Sequence, residues 1–162
     1  MNHNQKLFYE LEQRFKLDQE LIKQCDIKKY TENCHKNSEW LKRIISKQGG
    51  SSEEKISKQG EFYSWLIVQH SEDIDFQKLC LKLLKNLSKT KERNQHIAYL
   101  IDRILVKENK KQIYGTQFSN GNPFPILDEG NLDKRRNEMG LGSFEEYSKT
   151  MQKLSKHYEY ES

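Results

Sequence analysis

The chain has 162 residues, of which 34 % are hydrophobic and 32 % are charged, and its formal net charge at pH 7 is +4. This charged fraction exceeds the roughly 25 % of an ordinary globular protein, and the mean hydropathy is −1.01. The composition excludes a membrane span and a fibrous repeat, and the charge is too mild for a dedicated nucleic-acid binder. Because eight Tyr, seven Phe and two Trp are available for a core, we predict a single domain over 1–162.

Long helices are predicted wherever the chain lacks glycine and proline, which is the case in 1–48 and 61–114. Apolar residues at helical spacing predict five helices, over 5–26, 37–47, 52–70, 75–87 and 93–108. Asn37 or Ser38 is the expected N-cap of the second helix, and residues 49–52 are expected to form a loop.

The character of the chain changes after the fifth helix. Two β-like runs, 112–118 and 123–127, flank an Asn/Gly turn and predict a small hairpin whose prolines confine the second strand to an edge. Helices over 131–139 and 143–156 are expected to close the chain. The predicted fold is therefore mainly α, a bundle of about five helices with a small β-hairpin in the C-terminal half and one or two closing helices.

The cysteines and the N-terminus bear on metal binding and on the location of the protein. Cys25, Cys34 and Cys80 form no C-x-x-C pair, which argues against a disulfide framework and a zinc site, and no cofactor motif is visible. We therefore expect no metal and no cofactor. The first residues lack the apolar segment of a signal peptide, and no apolar run approaches about 18 residues, so the expected location is the cytoplasm and no membrane partner is expected.

The third predicted helix ends in two polar side chains. Gln69 and His70 follow the apolar residues of 65–68 and continue the same helix face. One interpretation is a structural histidine at the helix end that bonds to a backbone carbonyl. The other makes His70 a general acid/base, because imidazole titrates near neutral pH.

A second polar group lies in the fifth predicted helix, where Tyr99, Asp102 and Arg103 are spaced i, i+3, i+4. The simpler interpretation is a surface ion pair of Asp102 and Arg103, worth about 0–1 kcal/mol. The functional interpretation is that the Arg103 guanidinium binds a carboxylate or phosphate of a substrate.

The segment 114–117 brings a phenol, a hydroxyl and an amide together in Tyr114, Thr116 and Gln117. Gly115 between them indicates a bulge or a close backbone approach. An ordinary hairpin strand is the simpler interpretation. Arg135 follows in a run of basic residues that could equally be the exposed start of a helix.

These segments taken together resemble a known family. They are Asn37-x-x-Trp40-Leu41-Lys42, Trp65-Leu66-Ile67-Val68-Gln69-His70, Asp75-Phe76-Gln77, Ala98-Tyr99-Leu100-Ile101-Asp102-Arg103-Ile104-Leu105-Val106, Tyr114-Gly115-Thr116-Gln117 and Asp133-x-Arg135-Arg136 before Gly140-Leu141. In this order they resemble a widespread bacterial family of unknown function, marked by a W-L-x-x-Q-H helix and a Y-G-T-Q strand. The chain departs from that family at 49–51, where relatives tend to have a G-x-P turn.

The resemblance covers about residues 35–150, which divides the domain into an N-terminal helix in 1–34, a family-like core, and a helix end with a frayed tail in 151–162. It implies that six polar residues share one constellation: Gln69, His70, Asp102, Arg103, Tyr114 and Gln117. We expect the hairpin to pack across the bundle and to bring Tyr114 and Gln117 towards His70 and Arg103.

The favoured function is a small cytoplasmic, metal-independent enzyme, either a hydrolase or a group transferase. Its substrate would be small and polar or anionic, such as a phosphate, a nucleotide or a modified peptide side chain. The predicted catalytic residues are His70, as general acid/base, with Tyr114 and Asp102. The predicted substrate-binding residues are Gln69, Arg103, Thr116, Gln117 and Arg135.

Two alternatives belong to other functional classes. In the first, the protein is a non-catalytic binding or immunity-type module with a protein partner, and the same polar residues form a structural network. In the second, the basic stretch Lys78–Arg93 binds nucleic acid. This second alternative is the less favoured, because no aromatic residues that could stack on bases are interleaved there.

Overall fold

The computed structural model of the chain describes residues 2–47 and 57–160, and within them the predicted mainly helical fold with a small antiparallel hairpin is confirmed. The chain divides into two compact units, Met1–Cys80 and Leu81–Ser162, called here the N-terminal and the C-terminal unit. Each unit is described by itself, and the single domain expected from the composition stays a prediction. Among the described residues no helix combines the length and the apolarity needed to cross a bilayer.

Three helices build the N-terminal unit, α1 (His3–Lys23), α2 (Ile27–Lys47) and α3 (Lys58–His70), and each packs against the other two. The buried apolar side chains come from all three, namely Leu7, Leu11, Leu21, Cys34, Leu41, Tyr63, Ile67 and Val68. Stacked rings of Phe15 and Tyr63, with centroids 4.6 Å apart, join α1 to α3. The apolar spacing of the sequence thus produces a three-helix bundle.

The predicted N-cap of α2 is wrong. The helix begins ten residues earlier, at Ile27, directly after a turn in which Cys25 has a φ of 52°. Asn37 and Ser38 lie buried inside the helix, where the Ser38 hydroxyl donates to the carbonyl of Cys34 at 2.8 Å. Because both polar side chains find partners within the bundle, they do not need to end a helix.

The remaining helices follow the prediction closely. The Ser57 hydroxyl accepts from the Gly60 amide and caps α3, while the predicted helix start at 52–56 and the predicted loop at 49–52 lie outside the described residues. Helix α4 (Ile74–Asn86) begins in the N-terminal unit and ends in the C-terminal one. Helix α5 (Lys91–Lys107) lies entirely in the C-terminal unit, and Thr90 is its N-cap.

The hairpin consists of β1 (Phe118–Ser119) and β2 (Asn122–Pro123), which pair antiparallel with Phe118 opposite Pro123. It is shorter than the runs of 112–118 and 123–127 predicted from the sequence. A 3₁₀ turn follows, and then the two closing helices α6 (Leu132–Glu138) and α7 (Phe144–Tyr160). The segment 113–117 is therefore left to be held by side chains.

Gly115 makes the close approach that the sequence indicated. Its φ is +64°, and a Cβ at this position would lie 2.8 Å and 2.9 Å from ring carbons of Phe144. A side chain here would meet both a left-handed backbone conformation and an aromatic ring.

Replacing Gly115 with alanine should therefore destabilise the C-terminal unit. The left-handed backbone costs a residue with a Cβ about 1–2 kcal/mol, and displacing the Phe144 ring adds to this cost. We expect Gly115→Ala to lower the free energy of unfolding by about 2 kcal/mol or more, measured by urea denaturation. Gly142→Ala is the control, because nothing lies within 4 Å of a Cβ at Gly142. Equal stability of the two variants would contradict the packing described.

Candidate functional site

The predicted site residues fall in both units. Gln69 and His70 end α3 in the N-terminal unit. The other six belong to the C-terminal unit: Asp102, Arg103, Tyr114, Thr116, Gln117 and Arg135. Within that unit the structure brings Asp102, Thr116, Gln117 and the backbone of Tyr114 together. The expected approach of the hairpin to His70 stays a prediction.

Asp102 holds the segment 113–116 to α5. The side chain is fully buried, and its carboxylate accepts from the amides of Ile113 at 2.7 Å, Tyr114 at 3.0 Å and Thr116 at 3.0 Å. The Thr116 hydroxyl donates a further hydrogen bond at 2.9 Å. Burial raises the pKa of Asp102, and these donors oppose the rise. The interpretation of Asp102 as part of a surface ion pair is therefore wrong.

Gln112 supports the same segment from its other side. The side chain is fully buried, and its Oε1 accepts from the amide of Gln117 at 2.9 Å. Its Nε2 donates to the carbonyl of Phe124 at 2.8 Å and to that of Gln117 at 3.1 Å. Gln117 in turn donates from its Nε2 to the Thr116 hydroxyl at 3.0 Å. Gln112 is not among the residues predicted from the sequence, because a single amide has no spacing that marks it.

Two arginines of α6 bind the backbone of this region. Arg135 donates from Nε to the carbonyl of Ile113 at 3.0 Å and from Nη2 to that of Asp128 at 2.9 Å. Arg136, which is 2 % exposed, donates to the carbonyls of Tyr114 and Gly142, each at 2.7 Å. These bonds give Arg135 a positioning role, and its predicted substrate contact stays a prediction.

The remaining predicted residues of the C-terminal unit are Arg103 and the side chain of Tyr114. Arg103 is partly buried on α5, and its charge lowers the pKa of Tyr147, which burial raises. The Tyr114 ring lines a groove of about 340 Å³ together with Arg93 and Ile97. Burial raises the pKa of the Tyr114 phenol, so the phenol is protonated at neutral pH and can donate a hydrogen bond.

The end of α3 carries a different constellation. His70 Nδ1 lies 3.3 Å from a carboxylate oxygen of Asp18 on α1. The side chain of Asp18 is 8 % exposed and that of His70 is 22 % exposed. Asp18 was missed by the sequence analysis, although a signal existed. It occupies the buried stripe of α1 that also holds Leu7, Leu11 and Leu21.

His70 does not bind the carbonyls at the end of its helix, as one interpretation of the sequence had it. The Gln77 side-chain amide binds carbonyls at this helix end instead: its Nε2 donates to the carbonyls of Val68 at 3.0 Å and Ser71 at 3.1 Å. Helix ends leave carbonyls that need such donors. The imidazole is consequently available to Asp18.

A small cavity adjoins the Asp18–His70 pair. Its volume is about 10 Å³, room for about one water molecule. Arg14, Cys34 and Asn37 also line it. The Arg14 guanidinium donates from Nη1 to the Asn37 Oδ1 at 2.8 Å, and its Nε is buried without a hydrogen-bond partner among the described residues. The guanidinium charge already meets Glu10, with Nη2 3.6 Å from a carboxylate oxygen, so what remains for a strongly polar ligand is the unpartnered Nε–H donor.

Asp18, Cys34 and His70 each place one potential metal-ligand atom within 4.8 Å of the other two. The three atom types could hold a divalent cation if the thiol lost its proton. Burial raises the pKa of Cys34 to about 11, so the thiol is protonated at neutral pH. A metal would have to displace this proton, and the absence of a metal stays a prediction.

The pair can perform proton transfer. A carboxylate beside Nδ1 fixes the neutral tautomer with its proton on Nδ1, which leaves the lone pair on Nε2. The same carboxylate stabilises the imidazolium once Nε2 has accepted a proton. Asp102 cannot act in this way while all its hydrogen bonds to the segment 113–116 are intact.

Removing the Asp102 carboxylate should destabilise the protein strongly. In Asp102→Ala the amides of Ile113, Tyr114 and Thr116 lose their acceptor, at about 1–3 kcal/mol for each buried donor. We expect the thermal midpoint to fall by at least about 6–12 °C, because the lower end of this range, about 1 kcal/mol for each of the three donors, gives about 3 kcal/mol, and 1 kcal/mol lowers the midpoint of a chain of this length by about 2–4 °C.

Thr116→Val is the graded control for this variant, because it removes the hydroxyl, which donates to Asp102 and accepts from Gln117, and leaves the three amides bound. Its midpoint should fall by clearly less than that of Asp102→Ala. A midpoint of Asp102→Ala within 2 °C of the parent would show that the segment is held by other contacts.

Comparison with known proteins gives a family and nothing more. No curated protein and no solved structure matches the chain. A family described as a family of unknown function, DUF6624, matches residues 24–158. This span contains His70, Asp102 and the segment 113–117, whereas Arg14 and Asp18 precede it. Since the match covers well over half of the chain, the protein belongs to DUF6624, as its resemblance to a family of unknown function implied.

Proposed function

We propose that the protein is a small cytoplasmic enzyme, a metal-independent hydrolase or group transferase, in which His70 is the general acid/base. The observation that carries the proposal is the 3.3 Å contact of His70 Nδ1 with the buried Asp18 carboxylate. A buried carboxylate that orients a partly exposed imidazole beside a small cavity is an arrangement suited to general base catalysis.

The proposed step begins with a nucleophile at the cavity. His70 Nε2 takes a proton from this nucleophile, a water molecule in hydrolysis or an acceptor hydroxyl in transfer. The oxygen then attacks the substrate, and the imidazolium, stabilised by Asp18, returns the proton to the leaving group. A cavity of about 10 Å³ fits the nucleophile, so the body of the substrate lies outside it.

The neighbouring Arg14 supports a small anionic or strongly polar substrate. Its guanidinium is held by Asn37 at 2.8 Å and lies 4.3 Å from the ring centroid of Trp40. A guanidinium fixed in this way loses little side-chain entropy when it binds an oxyanion. Phosphate esters, nucleotides and modified peptide side chains present such groups.

The proposal predicts that His70→Gln loses activity without losing the fold. The assay is release of product from a panel of phosphate esters, nucleotides and modified peptides in the presence of about 1 mM EDTA. We expect His70→Gln to lower kcat/KM by about 10²–10⁴-fold and Asp18→Asn by up to about 10⁴-fold. His35→Gln, which changes an exposed histidine of α2, should keep full activity.

Two results would contradict the proposal. One is parent-level turnover by His70→Gln on a substrate that the parent converts. The other is loss of activity in EDTA that returns on addition of Zn²⁺, which would assign Asp18, Cys34 and His70 to a metal instead.

A second candidate is a non-catalytic interaction module, which is favoured by the hydrogen bonds of the C-terminal unit. There Asp102 and Arg135 bind backbone groups of the same chain, and the Thr116 hydroxyl donates to the Asp102 carboxylate. Such a network fixes one conformation of the segment 113–117 and needs no substrate.

Thermal midpoints of His70→Ala and Gln117→Ala separate the two candidates. Partners left unpaired in a structural network cost about 1–3 kcal/mol, so a clear fall in both variants favours the module. Catalytic groups are often held at a cost in stability, so an unchanged or higher midpoint of His70→Ala favours the enzyme.

A further inference from the structure

The C-terminal unit contains a second candidate site, which is separate from the Asp18–His70 cavity. It is the groove of about 340 Å³ lined by Leu84, Lys89, Arg93, Ile97, Ile101 and Tyr114, called here the Tyr114 groove. Its residues come from the end of α4, the loop that follows it, α5, the end of α6 and the segment held by Asp102. The network around Asp102 thus sets one wall of the groove.

The size and the apolar wall of the groove suit a small organic molecule. Ligand pockets typically measure about 300–1,000 Å³ and are mostly apolar with a few polar groups. The wall consists of Leu84, Ile97 and Ile101 with Met139. The Tyr114 ring adds a flat aromatic surface and a hydroxyl that donates at neutral pH. A planar body fits this combination.

The rim of the groove is basic. Lys85 and Lys89 are exposed, and in the described part of the chain neither forms an ion pair. Arg93 is anchored beside them, since its Nη1 donates to the Ser88 carbonyl at 2.9 Å and to the Ser88 hydroxyl at 2.7 Å. Glu138 is the acidic residue of the lining. Three cations against one anion favour a negatively charged head group.

We propose that the Tyr114 groove binds a phosphomonoester with a planar body, the chemistry of a nucleoside monophosphate. Lys85 and Lys89 bind the phosphate, and the planar body lies against Ile97 and Ile101 beside the Tyr114 ring. His70 does not line this groove, so binding in the groove can be tested separately from the proposed catalysis.

The probe is adenosine monophosphate, compared by calorimetry with adenosine and with inorganic phosphate in the full chain. Adenosine lacks the head group and phosphate lacks the body. We expect one molecule of adenosine monophosphate per chain, bound at least about tenfold more tightly than either fragment. His70→Gln should bind it as the parent does.

Two variants test the head-group contacts. Lys85→Gln/Lys89→Gln should bind adenosine monophosphate at least about tenfold more weakly, while its affinity for adenosine stays unchanged. The control is Lys111→Gln/Lys134→Gln, which removes the same charge at exposed positions outside the groove. Tyr114→Phe should weaken binding of both nucleoside forms by a similar factor, because it removes the hydroxyl and keeps the ring.

Three results would overturn the proposal. The first is the absence of any heat of binding when adenosine monophosphate is titrated into the full chain. The second is an equal loss of affinity in the groove variant and in its control. The third is that a short single-stranded oligonucleotide binds more than about a hundredfold more tightly than the monophosphate, with an affinity that falls steeply as salt is added. This result would assign Lys85 and Lys89 to nucleic-acid binding.

Discussion

The C-terminal unit depends on the carboxylate of Asp102. The chain from Ile113 to Thr116 runs beside α5 without a strand partner, yet its amides are not left open, because one buried side chain accepts from three of them. Buried amides need an acceptor, and a carboxylate that accepts several is stronger than neutral partners would be. Gln112 and Arg136 then complete the bonding of the same backbone, and the Tyr114 ring and Gly115 are placed as a consequence.

In the N-terminal unit the buried carboxylate has a side chain, and not the backbone, as its partner. Asp18 interrupts the apolar stripe of α1, where a charge costs free energy unless it is paired. The partner on α3 is His70, whose Nδ1 lies 3.3 Å from the carboxylate. The bundle therefore buries an ionisable pair at the place where a leucine would pack more simply, with Arg14 nearby in the same cavity.

Local patterns in the sequence predicted most of the fold. Apolar spacing located α3, α4 and α5 closely, and the Asn/Gly turn located the hairpin. The start of α2 was wrong, because Asn37 and Ser38 are typical caps by residue type while Arg14 and the Cys34 carbonyl satisfy them inside the helix. Arg14 reaches Asn37 only once α1 packs against α2, and the Cys34 carbonyl accepts from Ser38 only once the helix already extends through residue 34.

The candidate sites show the same division. His70 and Tyr114 could be singled out because unusual polar residues ended apolar runs, but Asp18, 52 positions before His70 in the printed sequence, could be paired with it only once α1 and α3 were packed. What distinguishes the two buried carboxylates is the kind of donor each meets. The donors of Asp102 are backbone amides and a hydroxyl, which keep their protons, so this contact offers no proton to transfer. The neighbour of Asp18 is an imidazole, a side chain that exists in a neutral and a protonated form, so the proposed proton transfer rests on this contact and not on that of Asp102.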